Sequence, residues 1–171
     1  HRPSSVQIDS DDFHFGLSVA LQNATSAGQL RLLSTDPHVQ PALNYDYLSD
    51  PGDRARMREA LRLALRIAEH PSYSGMVVER LNPTDEDLTS DDALDNWMLR
   101  NAYTQHHTSG TCKMGDASDP MAVVDQYSHV HGMQNLRVVD ASVMPDVIRA
   151  NTNATTLMIA ERVSDWIKEG K

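Results

Sequence analysis

Cysteine is almost absent: one thiol, Cys112, stands among 171 residues. No internal disulfide can form, so covalent cross-linking adds nothing to stability, and a reducing compartment such as the cytoplasm suits that count without being required by it. Long apolar runs are missing, and with a mean hydropathy of -0.47 the sequence offers no transmembrane helix. The opening residues His1-Arg2-Pro3-Ser4-Ser5 lack the apolar stretch of a secretory signal. Positive charge is scarce. Fifteen Lys and Arg against 24 Asp and Glu leave a formal net charge of -9. That argues against nucleic-acid or anionic-membrane binding, because phosphate-rich surfaces demand clustered cations. Internal repeats, low-complexity tracts and Gly/Ser-rich linkers are missing too.

What is present suits one ordinary domain, since 40% hydrophobic and 23% charged residues can build a core with a wet surface. The first part reads as β. Ser5-Val6-Gln7-Ile8-Asp9 alternates, as does residue 13–19 less strictly, and short strands are expected near Leu30-Arg31-Leu32-Leu33 and from Leu43 to Leu48. Alternation of this kind fits an antiparallel sheet with one wet face. A helix follows, with Asp50 as N-cap, Pro51 at the first helical position and Asp53 in the first turn. Met57, Ala60, Leu61, Ala64, Leu65 and Ala68 form its apolar stripe, and His70-Pro71 ends it. Arg54, Arg58, Arg62 and Arg66 recur every fourth residue. They read as a solvated face pairing with the acidic remainder rather than as a basic binding face. A second helix is expected from Ser90, with Leu94, Trp97 and Met98 inward, after a solvated loop at Asp85-Glu86-Asp87 that lacks calcium-loop spacing. Buried strands are expected at Ala122-Val123-Val124 and Leu136-Arg137-Val138-Val139. A last helix is expected from about Asn153 to Lys168, with Thr156, Ile159, Ala160, Val163 and Ile167 on one face.

Two segments could carry chemistry. His106-His107-Thr108-Ser109-Gly110-Thr111-Cys112-Lys113-Met114-Gly115 gathers a histidine pair, a thiol and a lysine within ten residues. Imidazole exchanges protons near neutrality and is the natural general base, although the segment also fits a histidine that only hydrogen-bonds within the fold. Arg149-Ala150-Asn151-Thr152-Asn153-Ala154-Thr155 leads straight into the last helix. A helix start attracts electron-rich ligand atoms, and Asn151 or Asn153 could alternatively serve as its N-cap. Two rivals exist among these residues. His106, His107, His129 and His131 could ligate a metal, but no Cys-x-x-Cys or His-Glu-x-x-His accompanies them, so no metal site is assigned. Cys112 and His107 could form a nucleophilic pair, yet such pairs usually meet through the fold, and Cys112 reads as a small buried hydrophobe.

Three ordered motifs carry a resemblance to a known family. They are His107-x-x-Gly-Thr-Cys-Lys-Met-Gly, then Met121 to Asp125 with His131 to Pro145, and finally Asn151-Thr152-Asn153-Ala154-Thr155-Thr156-Leu157-Met158-Ile159-Ala160-Glu161. Together they resemble the C-terminal motifs of the glucose–methanol–choline (GMC) oxidoreductases. Residues 28–32 and 36–51 resemble, more loosely, the family's substrate-domain strands and following helix. The resemblance implies an α/β fold in which residues 1–105 belong to an antiparallel substrate-binding domain with helices. Residues 106–171 would carry the catalytic segment and return into the FAD-binding domain. It further implies FAD as cofactor and a small-molecule alcohol as substrate. His107 would take the hydroxyl proton while hydride passes to flavin N5, and Asn151 would hold the same oxygen. The backbone at Thr152, Asn153 and Ala154 would face the flavin N1/C2 edge, with Asp140 and Ala141 nearby. His131 is expected to be structural. The family's Gly-x-Gly-x-x-Gly phosphate turn is missing here, so the expected partner is an N-terminal FAD-binding part, without which no turnover is expected. A redox-silent FAD lyase or a non-catalytic subunit of the same fold is the alternative reading, because one fold hosts several reactions.

Overall fold

A computed structural model describes residues 16–171. The expected strand at 5–9 and the start of that at 13–19 lie outside them, and residues 16–19 join no ladder. The sheet is smaller than expected. Strand β1 (Gln29–Arg31) pairs antiparallel with β2 (Ala42–Asn44), Gln29 opposite Asn44, Leu30 opposite Leu43 and Arg31 opposite Ala42. All six residues are exposed on this two-stranded hairpin. Gly28 precedes it because a Cβ there would lie 2.0 Å from the Asn44 carbonyl oxygen. The second strand stops at Asn44 instead of reaching Leu48. Asp46 and Leu48 take positive φ, which no ladder accommodates.

Helix α1 (Pro51–Ala68) starts where its caps dictate: the Asp50 carboxylate accepts from the Asp53 amide at 3.1 Å and Pro51 opens the first turn. Its apolar stripe is half-buried throughout. The buried residue of this helix is instead Asp53, whose carboxylate accepts from the Thr25 amide (2.9 Å), the Ser26 amide (2.7 Å) and the Ser26 hydroxyl (2.7 Å). Residues 25 and 26 are thereby tied to the helix start. Burial alone would raise the Asp53 pKa, but the Ser26 and Thr25 bonds and the Arg56 charge together outweigh it, and the net shift is downward.

Helix α2 (Asp91–Asn101) is capped by the Ser90 hydroxyl, which accepts from the Ala93 amide at 3.1 Å. Leu94 and Met98 are buried as expected, and Trp97 is half-buried. Three of the four arginines in the row on α1, Arg54, Arg58 and Arg62, pair with this helix. Arg58 Nη1 reaches both Asp95 carboxylate oxygens (2.6 and 2.8 Å), Arg54 meets Asp95 at 3.6 Å and Arg62 meets Asp91 at 2.5 Å. The acidic stretch before α2 forms a 3-10 turn (Glu86–Leu88), in which Asp87 accepts from the Thr84 amide and hydroxyl.

Neither expected buried strand forms. Residues 122–124 and 136–139 contribute only the isolated bridges Met114–Val124, Val124–Val130 and His129–Arg137. Ser128 and Asn135 at positive φ, with Gly132 between them, bend the backbone every few residues and cut each ladder to one pair. Val124 is fully buried, whereas Leu136 is 44% exposed. A 3-10 turn (Ala141–Val143) leads towards α3 (Asn153–Lys168), and the two pack together. Val163 of α3 is buried, but Ile167 is 54% exposed. The anchor of the last turn is Trp166, whose ring meets Tyr127 edge-on at 5.1 Å and lies under Arg162 at 4.8 Å. Arg137 braces the same loop by donating to the Tyr127 carbonyl at 2.6 Å.

Ser128 yields a stability prediction. It is fully buried, holds φ at 67°, and its hydroxyl has no partner among the described residues. Ser128→Gly removes both the left-handed strain and the unsatisfied hydroxyl, at the cost of a small void. The expected net gain is about 1 kcal/mol, read as a melting temperature higher by a few degrees. Ser128→Ala keeps the strain and gains less. A lower melting temperature for the glycine variant would refute this account of the turn.

Candidate active site

Backbone pairing brings the first and second motifs side by side. The Gly110 amide donates to the Ala141 carbonyl at 3.4 Å, Cys112 to Ser142 at 2.9 Å and Met114 to Val143 at 3.0 Å. Gly110 has φ +83, and a Cβ there would also touch the Met144 carbonyl oxygen at 3.5 Å, so this position requires glycine. On the other side, Val123 donates to Lys113 at 2.8 Å and Gly115 to Val124 at 3.0 Å, while Lys113 pairs with Asp119 at 2.7 Å. The segment after His107 is therefore clamped from two directions.

The four candidate metal histidines have separate surroundings. His106 is exposed at φ 64, its amide bonded to the Thr104 hydroxyl oxygen at 2.9 Å. His129 Nδ1 lies 3.2 Å from the Asp125 carboxylate, which also accepts from the His129 and Tyr127 amides. Burial opposes the charge on Asp125, yet these bonds and the His129 ring hold its pKa below the ordinary value. His131 Nε2 sits 3.1 Å from the Gly115 carbonyl, a structural brace between the first two motifs. Among the described residues no three His, Cys, Asp or Glu side chains gather as a metal site.

His107 is half-buried, and Nδ1 lies 3.3 Å from the Thr152 hydroxyl oxygen. This contact joins the first motif to the third across 45 residues of sequence. Cys112 is half-buried with a free thiol, and its amide bonds Ser142; no bond links it to His107. Asn151 and Asn153 flank Thr152 and are exposed, as is Ala154. Neither asparagine caps α3, so the alternative reading of Asn151 or Asn153 as the N-cap does not hold. The cap position belongs to Thr152, which already has helical angles (φ -74, ψ -17) and makes no side-chain cap bond. Helical angles carry its hydroxyl away from the first-turn amides, and the hydroxyl bonds His107 instead. Asp140 is committed to the neighbouring turn, its carboxylate accepting from the Ser142 amide at 2.8 Å and from the Ser142 hydroxyl. Ala141 spends its carbonyl on Gly110.

The donor set suits the electron-rich edge of a flavin. Among the described residues no side chain caps the start of α3, so partial positive charge remains available beside His107. The buried Thr152 side chain, 7% exposed, was not anticipated as a partner of His107. A threonine between two asparagines ahead of a helix signals a cap, and only the fold reveals that its hydroxyl turns elsewhere.

The family described as GMC oxidoreductase matches residues 24–160. The chain belongs to the GMC oxidoreductases, and FAD is the cofactor that membership brings. It is 41% identical over 154 residues to an oxygen-dependent choline dehydrogenase from Cronobacter sakazakii, covering 90% of this chain and 27% of that protein. Among solved structures it resembles pyridoxine 4-oxidase from Mesorbium loti, with a TM-score of 0.77 and 32% identity over 86% of this chain and 28% of that one. It also resembles formate oxidase from Aspergillus oryzae RIB40, studied for FAD modification, with a TM-score of 0.73 and 29% identity over 84% of this chain and 25% of that one. The chain thus spans little more than a quarter of the relatives it matches. The α/β arrangement of three helices and a two-stranded antiparallel sheet is that of the family's C-terminal region.

Proposed function

We propose that this chain is the C-terminal catalytic portion of an FAD-dependent enzyme that oxidises an alcohol. FAD, when bound, supplies the two-electron acceptor for the hydride released at the alcohol carbon. His107 takes the substrate hydroxyl proton, and the Asn151 amide donates to the same oxygen as negative charge develops on it. That pairing lowers the barrier because an alkoxide is a far better hydride donor than an alcohol. The backbone of Thr152, Asn153 and Ala154 would hold the flavin's electron-rich edge, with the turn at Asp140 and Ala141 beside it. The observation that carries the reading is the 3.3 Å contact between His107 and Thr152, which joins a candidate base to an uncapped helix start. Relatives named for choline and for pyridoxine support a small hydroxyl-bearing substrate.

The partner in this reading is a larger FAD-binding part, against which residues up to about 105 contribute to the substrate side and the remainder to the cofactor side. Exposed apolar side chains support such a docking surface: Leu32 is 77% and Val78 96% accessible, with Leu30, Leu33 and Leu43 also exposed. Among the described residues no helix is long and apolar enough to cross a membrane.

The test is a visible spectrum of the full-length protein, followed by a panel of small alcohols under argon. Flavin bands that bleach with one or more alcohols are expected. Flavin that no alcohol bleaches would favour a redox-silent lyase, and a protein with no flavin at all would overturn the assignment.

A further inference from the structure

We propose that Thr104 is a positioning residue for His107: its hydroxyl oxygen fixes a left-handed bend at His106, and that bend turns the next side chain towards the start of α3. This inference rests on the reading of His107 as the base. Three observations carry it. The His106 amide donates to Thr104 Oγ1 at 2.9 Å, and the direction of that bond is settled because a backbone amide only donates. His106 has φ 64, a region costly to any residue with a Cβ, although histidine enters it more readily than most. Exposure changes at the bend: Gln105 and His106 are exposed, whereas His107 is half-buried with Nδ1 3.3 Å from the Thr152 hydroxyl oxygen.

The chain on either side shows why one local bond decides the aim. Helix α2 ends at Asn101, and its cap bond joins the Ala102 amide to the Met98 carbonyl at 2.7 Å. From Gly110 onward the backbone is clamped along the 141–143 turn. Between these anchors, among the described residues, the His106 amide is the one backbone group of residues 103–109 that makes a hydrogen bond. A strained φ persists only where something holds it. Without the Thr104 acceptor, His106 is free to relax to negative φ, and the peptide that carries His107 rotates with it. The base is then correctly aimed for only a fraction of the time, and the rate falls by that fraction. Glycine at 106 would enter the left-handed region without penalty, so the bend would no longer depend on Thr104.

The test is a double-mutant cycle on the full-length protein, with flavin reduction by alcohol under argon measured per bound flavin. Thr104→Val keeps the side-chain shape and removes the acceptor. It should slow reduction about fivefold, the scale of one hydrogen bond, and Thr104→Ser should restore the rate. In the His106→Gly background the same Thr104→Val change should cost less than about twofold, because the two positions are coupled through the bend. Thr104→Ala carries the cycle should Thr104→Val lose its flavin. In spectra of the 15N-histidine protein, the His107 ring signals, assigned by their loss in His107→Gln, should move in Thr104→Val and return in Thr104→Ser. An unchanged rate in Thr104→Val, or an equal loss in both backgrounds, would overturn the proposal and leave the base reading intact. If His107→Gln left reduction untouched while the ring signals still followed Thr104, the base assignment would fail and the positioning role would stand.

Discussion

His107→Gln is expected to cut alcohol oxidation in the full-length protein by about two to four orders of magnitude, the range typical of a lost general base. Glutamine fills similar space and can still hydrogen-bond, but it accepts no proton at any working pH. The substrate must then ionise without help, and Asn151 with the helix start can only stabilise charge that has already formed. Flavin content should remain, because the groups that would face the cofactor are the backbone amides at the start of α3, which this substitution leaves alone. His107→Ala should lose at least as much. Turnover at the wild-type rate in both variants, with flavin retained, would remove His107 from the mechanism. The neighbouring His106 is exposed and bonded only through its amide, so His106→Gln should cost little.

Asp53→Asn is expected to destabilise the fold by about 3 kcal/mol, the scale of unpartnered donors around a buried charged group. Asp53 is 1% exposed and takes bonds from two amides and a hydroxyl. An asparagine amide NH2 would face donors where a carboxylate oxygen now accepts them. The pH dependence has a definite sign. The native pKa of Asp53 lies below the ordinary value, so the unfolded chain binds the proton more readily. The contribution is therefore fully present above the unfolded value of about 3.9 and is lost as pH falls through the lowered native value. Wild-type stability should fall in that acid range, and Asp53→Asn should show a shallower fall from a lower starting point. Asp87, Asp91, Asp116, Asp119 and Asp125 are shifted the same way, so some acid dependence persists in the variant. Denaturant midpoints measured at neutral and acid pH read both effects. Equal slopes for the two proteins would show that the Asp53 contacts carry no stability.

Local chemistry was legible and long-range pairing was not. Asp50-Pro51-x-Asp53 and Ser90 mark the helix starts because caps act over three residues, and α1 and α2 begin where those residues require. The i+4 arginine row of α1 signals pairing with acidic residues, and Asp91 and Asp95 supply partners for Arg54, Arg58 and Arg62. Strand expectations fared worse at 122–124 and 136–139, because an apolar run states only that a segment is buried, whereas a ladder needs a partner of matching length. Ser128 and Asn135 at positive φ turn the chain beside both runs; asparagine favours that conformation, but serine gives no such signal. Asp53 read as a first-turn charge complementing the helix dipole, and its burial comes from residues 25 and 26, far upstream in sequence. At the site, the residue types in the His107 and Asn151 segments marked where chemistry could lie. The Thr152 contact was invisible because a hydroxyl at a helix start satisfies a cap in almost any sequence, and only its backbone angles exclude one here. Trp166 lies outside the α3 face of Thr156, Ile159, Ala160, Val163 and Ile167, and its anchoring role comes from Tyr127 in a distant loop.

The role of His107 is tested most directly by the pH dependence of flavin reduction by an alcohol under argon, followed in wild type and His107→Gln from acid to alkaline pH, because a general base works only in its deprotonated form. The wild-type rate should climb as one group loses its proton and then level off, whereas His107→Gln should be slow throughout and lack that step. A variant that reproduced the wild-type rate and step would contradict the account, because some other group would then be taking the proton from the alcohol.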